Sequence, residues 1–160
     1  MHRFRQLRNH AGVSALEVMV VLIIIGIISV LLIGRSRMGE ANLYSQTEVI
    51  KSHIRYAQAR SMDTDIRWGI RCDDSGKQYW LFSGDDPTAK KHKLPGEESD
   101  TVDIGQYGLT LTPTTLSFDD KGRPYVTINN VLQNDLQLTL TSDGGTSTII
   151  TITGNTGFVP

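Results

Sequence analysis

Twenty-one residues, Val13–Ile33, constrain this chain more than any others. They are apolar almost throughout, and they hold one carboxylate, Glu17, near their start. As a helix the run is roughly 31 Å long, about one hydrocarbon thickness of a bilayer. An ionised glutamate at the centre of such a span costs on the order of 2–3 kcal/mol, and less near the interface. A carboxylate kept there at that cost predicts a partner for it.

The flanks sharpen the reading. Met1–Gly12 is a short basic leader with Arg3, Arg5 and Arg8, and Arg35 and Arg37 follow the run. The excess of arginine before the run favours a cytoplasmic N-terminus and a head on the far side. An ordinary secretory signal carries a small-x-small cleavage site after its apolar stretch. Here that place holds Leu31-Leu32-Ile33-Gly34-Arg35, which fits poorly. The better processing site precedes the run, between Gly12 and Val13. Cleavage there creates a new amino terminus at Val13, four residues before Glu17. In a bundle of such helices, Glu17 of one copy then pairs with the terminal ammonium of its neighbour. A buried ion pair is costly to form but costlier to break on one side, so it fixes axial register.

Beyond the run, the pattern predicts a helix over 34–62. Leu43, Thr47, Ile50, Ile54, Ala57 and Ser61 recur at three- and four-residue steps, which makes one mildly apolar stripe. Gly34 and Gly39 weaken the helix before it. From residue 63 the period changes to two. Ile66, Trp68, Ile70 and Cys72 alternate with polar or small residues, and Asp73-Asp74-Ser75-Gly76 is a turn into Lys77–Phe82. Gly84–Asp103 reads as an exposed loop. Short strands are expected at Tyr107–Leu111, Thr115–Phe118, Tyr125–Ile128, Leu136–Leu140 and Thr148–Thr153, with Thr156–Val159 closing the sheet. The expected fold is α+β, a long N-terminal helix packed on a mostly antiparallel β-sheet head. The expected organisation is a leader (1–12), a membrane-spanning segment (13–33), an amphipathic helix (34–62) and a β-rich head (63–160).

The same residues carry a resemblance. Gly12-Val13-Ser14-Ala15-Leu16-Glu17-Val18-Met19-Val20-Val21 is similar to the class III signal of type IV prepilins and pseudopilins. Val13, Ser14 and Ala15 stand where that family has Phe, Thr and Leu. Gly26 matches a frequent family glycine, and Gly34 stands where many members have a helix-loosening proline. The segment Ile54–Met62 running into Ile66–Ile70 resembles the helix-to-sheet junction of GspH/FimT-type minor pilins. Phe118-Asp119-Asp120-Lys121-Gly122-Arg123-Pro124 is similar to their mid-domain turn, and Thr156-Gly157 to their C-terminal signature. The resemblance implies a pilin-like fold and cleavage by a prepilin peptidase after Gly12, with methylation of Val13. It implies Glu17 as the assembly residue, and Gly26 and Gly34 as points of helix flexibility. It further implies a minor pseudopilin of a type II secretion system, anchored once in the inner membrane with its head in the periplasm. Its partners would be the peptidase, sibling pseudopilins or minor pilins, and secreted cargo. A type IV pilus minor pilin and a membrane-anchored binding module that never polymerises are the alternatives.

Other chemistry is thinly represented. Past the leader only His53 and His92 remain, the first on a charged helix and the second within Lys90-Lys91-His92-Lys93. Neither has a motif partner for catalysis, and no glycine-rich phosphate loop opens a helix. No cofactor is expected. The aspartate pairs at 73–74, 85–86 and 119–120 lack EF-hand spacing and read as turn residues. Cys72, the one cysteine, reads as a packed small hydrophobe. Residues 34–71 hold seven Lys/Arg against four Asp/Glu, a net +3, whereas residues 72–160 hold six against twelve, a net −6. The tail after Gly154 has no basic residue, so a nucleic-acid partner is not expected.

Overall fold

The computed structural model describes residues 14–127 and 130–160, and within them the side chains of all but 30–40, 127 and 130. One helix, α1, runs Ala15–Thr64. The chain divides into two compact units, residues 1–36 and 37–160.

In the second unit, the whole stripe read from the sequence is buried. Leu43, Ile50, Ile54, Ala57 and Ser61 are each at most 1% exposed, and Thr47 is 6% exposed. Thr47 returns its hydroxyl to the Leu43 carbonyl at 2.6 Å, so its polar atom costs little inside. The strands follow in order: β1 Trp68–Cys72, β2 Gln78–Ser83, β3 Lys91–His92, β4 Val102–Asp103, β5 Leu109–Leu111, β6 Thr115–Phe118, β7 Pro124–Thr127, β8 Asn130–Val131, β9 Leu136–Ser142 and β10 Ser147–Ile152. A 3-10 turn, Gly105–Tyr107, precedes β5. Among the described residues every pairing is antiparallel. The strands form two sheets. The larger has the order β3-β2-β1-β6-β7-β8 with β4 beside β2, and the smaller the order β10-β9-β5. The stripe of α1 shares one core with Ile70, Tyr79, Leu81, Leu116 and Phe118 of the larger sheet and Leu138, Leu140, Ile150 and Ile152 of the smaller.

Several expectations need correction. The stretch 84–103 is not simply an exposed loop: it contributes β3 and β4, and Leu94 and Val102 are buried. Isolated apolar residues between polar ones carry no period, so they were not legible as core. Ile66 is half exposed and precedes the first strand. Thr156–Val159 forms no strand. Val159 is nevertheless buried, and its carbonyl accepts a hydrogen bond from Arg55 Nε at 3.1 Å.

Candidate assembly site

The first described residues open α1. The Ser14 carbonyl accepts from the N–H groups of Glu17, at 2.9 Å, and Val18, at 3.2 Å. Glu17 thus sits in the first helical turn, where the free N–H groups favour a carboxylate. Its side chain is exposed and makes no ion pair or hydrogen bond among the described residues. Gly12 and Val13 lie outside the described residues.

Every described side chain from Ser14 to Ser29 is exposed. Leu16 is 73%, Val18 47%, Met19 61% and Val21 48% exposed, and at about 100° per residue these four surround the helix axis. Ser29, the last residue of this stretch, donates its hydroxyl to the Ile25 carbonyl at 2.8 Å and so offers little outward polarity. A helix apolar all round is one that expects burial on every side. Gly26 has open space around it, and Gly34 falls within α1 where side chains are not described. No helix is long and apolar enough to cross a membrane among the described residues. The described apolar side chains span 16 residues, Ser14–Ser29, against about 20 for a full crossing. The remainder of the run, from Val30, lies outside the described side chains.

In the second unit the three scattered sequence signatures meet. Gln58 Nε2 donates to the carbonyls of Gly122, at 2.8 Å, and Thr156, at 2.9 Å. The helix end, the mid-domain turn and the C-terminal Thr-Gly are thereby tied at one amide. Gly122 and Gly157 both have left-handed backbones, with φ of 77° and 68°. Asp119 organises the turn. It accepts from the N–H groups of Lys121 and Arg123, from Arg123 Nε at 2.7 Å and from the Tyr125 hydroxyl at 3.2 Å. Burial pushes its pKa up, but these hydrogen bonds outweigh it and hold the carboxyl below its usual range.

Arg60 lies one turn before the end of α1. The helix continues to Thr64, and the Arg60 guanidinium lies 4.9 Å from the Trp68 ring centroid. Ser61 is fully buried, and its oxygen accepts the Trp68 N–H at 2.8 Å, fixing where β1 starts.

His53 lies on the charged helix as expected, but on its buried side. It is 2% exposed. Its Nε2 lies 3.1 Å from the Pro95 carbonyl and its Nδ1 2.8 Å from the Tyr79 hydroxyl. A carbonyl only accepts, so Nε2 carries the proton and neutral Nδ1 accepts from Tyr79. Burial lowers its pKa, against opposing effects of the Pro95 hydrogen bond and the Glu97 charge. No local motif revealed this, because both partners lie far along the chain. Cys72 is buried, and burial next to Asp73 pushes its thiol up to about 12, an unreactive state. Asp73 caps its own turn by accepting from the N–H groups of Lys77 and Gln78, both at 3.1 Å. Among the described residues, no three of His, Cys, Asp and Glu group closely enough to hold a metal ion.

No protein-family description matches the sequence, and no curated protein matches it. Among solved structures, the chain is similar to the Pseudomonas aeruginosa type IV minor pilin FimU in two crystal forms. In one the TM-score is 0.53 at 14% identity, covering 76% of this chain and 88% of FimU. In the other it is 0.50 at 15% identity, covering 74% and 90%. At this identity the likeness speaks to architecture: the chain has a type IV pilin-like fold.

Proposed function

We propose that the chain is a minor subunit of a type IV pilin-like filament, specifically a minor pseudopilin of a type II secretion system. The observation that carries this reading is the apolar surface of Ser14–Ser29, exposed on all sides and led by a lone Glu17, on a chain whose fold is pilin-like. Covering a large apolar side chain is worth about 1.5–3 kcal/mol. In the free subunit the inner membrane covers this surface; in the filament, sibling helices do. Prepilin peptidase cleaves between Gly12 and Val13 and methylates Val13. The released terminus then neutralises Glu17 of an adjacent subunit. Gly26 and Gly34 let the helix adapt to its neighbours. The head faces the periplasm and meets sibling subunits and secreted cargo. The role is mechanical, not enzymatic.

A second reading, a minor pilin of a type IV pilus, has a specific observation in its favour: the solved relatives are type IV minor pilins. A deletion strain separates the two. Loss of protein secretion with intact surface pili supports the pseudopilin; loss of pili with intact secretion supports the minor pilin. Glu17→Ala tests both against a membrane-anchored binding module. The variant should insert normally yet fail to restore either phenotype. Full complementation would overturn the filament reading.

A further inference from the structure

We propose that β10 is a docking edge for a second copy of this chain, through antiparallel pairing of β10 with β10. The register of the smaller sheet shows which backbone groups are available. The Ser142 N–H bonds the Thr146 carbonyl at 2.8 Å, so Ser142 and Thr146 oppose each other as a bonded pair. In an antiparallel ladder bonded and non-bonded pairs alternate. The Leu140–Thr148, Leu138–Ile150 and Leu136–Ile152 pairs are therefore the bonded ones. The other side of β9 confirms the alternation, because Thr112 N–H bonds Thr139 O and Asp143 N–H bonds Gly108 O toward β5. Ser147, Ile149 and Thr151 consequently aim their N–H and C=O groups away from β9. Among the described residues nothing pairs with that edge. The next position in the series, Thr153, has its N–H taken by the Phe158 carbonyl at 2.8 Å, which marks where the cover begins.

Edge strands are normally blunted by lysine, proline, a bulge or an overlying segment. Ser147-Thr148-Ile149-Ile150-Thr151-Ile152 has none of the first two and a regular register throughout. It is uncharged, β-branched in five of six positions, and presents Ile149 at 54% exposure. The chemistry of the edge names its occupant. Turned by a two-fold axis through Ile149, the strand is complementary to itself. Ile149 meets Ile149, Ser147 meets Thr151 as a hydroxyl pair, and Thr148 meets Ile150 on the core face. Such pairs are the stabilising contacts of a sheet, and no charge in the seam opposes them. The contact is isologous and closes at two copies, so it does not propagate a filament and does not rest on the function proposed above.

Register-specific cross-linking tests it. The full chain is held in detergent with micelles in excess, so that two chains do not share one by chance. Bonded antiparallel partners have Cα atoms about 5.5 Å apart, within disulfide reach. Mild oxidation of Ile149→Cys should give a covalent dimer. Ser147→Cys and Thr151→Cys should form no covalent dimer separately and cross-link only when mixed. Thr139→Cys, on the open face of β9, is the collision control and should not cross-link. Ile149→Pro removes an N–H that β9 does not use. It should abolish dimerisation of otherwise unmodified protein in sedimentation without lowering the melting temperature by more than a few degrees. A wild-type chain that stays monomeric at every concentration would overturn the proposal. So would Ser147→Cys alone linking as well as Ile149→Cys, or the Thr139→Cys control doing so.

Discussion

Gly157 passes so close to Gly122 that a β-carbon at position 157 would lie 2.6 Å from the Gly122 carbonyl oxygen. It would also lie 2.7 Å from Gln58 Nε2 and 2.9 Å from the Phe118 ring. The C-terminal segment is thus locked against the mid-domain turn by the absence of a side chain, and Gln58 ties both to α1. Gly157→Ala adds left-handed strain to this clash and should cost about 2–4 kcal/mol. Gln58→Ala leaves two carbonyls short of a donor and should cost about 1–3 kcal/mol. Urea unfolding of the full chain in detergent, followed by tryptophan fluorescence, measures both. A change under half a kcal/mol for Gly157→Ala would contradict the packing described.

On the opposite face of the larger sheet, the Phe82 ring occupies the space over Gly69. A β-carbon there would meet that ring at 2.6 Å and would also press on the Leu116 carbonyl oxygen. Gly69 pairs with both Phe82 and Ser117, so backbone on either side prevents it from moving away. Gly69→Ala should cost about 1–3 kcal/mol by overpacking. The same unfolding measurement checks it, and a neutral or stabilising result would count against this contact.

The His53 setting makes stability depend on pH in a stated direction. Its folded pKa lies below the ordinary value near ~6.5, so below that pH the unfolded chain takes up the proton first. The stability due to neutral His53 is complete above about pH 6.5 and drains away as pH falls toward the folded pKa. The slope is at most about 1.4 kcal/mol per pH unit for one proton. Asp73 and Asp119, whose pKa values are also lowered, add their loss only at more acid pH, below the ordinary aspartate range. His53→Gln should flatten the fall in stability that begins as pH drops below about 6.5, on the scale set by that proton. Wild type and variant with parallel profiles there would refute the assignment.

Much of this was legible in the sequence, and the reasons differ by element. Leu43, Thr47, Ile50, Ile54, Ala57 and Ser61 announced a buried stripe because a helix imposes a long regular period, and all six are buried. Strands β1, β2, β9 and β10 were legible from alternation bounded by turn residues. The split into two sheets was not, because pairing partners are set by contacts remote in sequence. Leu94 and Val102 were lost in a polar stretch for the same reason. Nothing near His53 marks it as buried, because its partners Tyr79 and Pro95 come from two other segments. Gly122 and Gly157 stand in two of the signature segments, and both have left-handed backbones. That they touch each other required the fold.

In the function proposed above, Glu17 awaits a freshly made amino terminus at Val13. Intact-mass and N-terminal peptide mass spectrometry of the protein isolated from cells tests this most directly. The account predicts a mature chain that begins at Val13 and carries one methyl group on its α-amino nitrogen. A chain that still begins at Met1, or that is cut elsewhere than after Gly12, would contradict it.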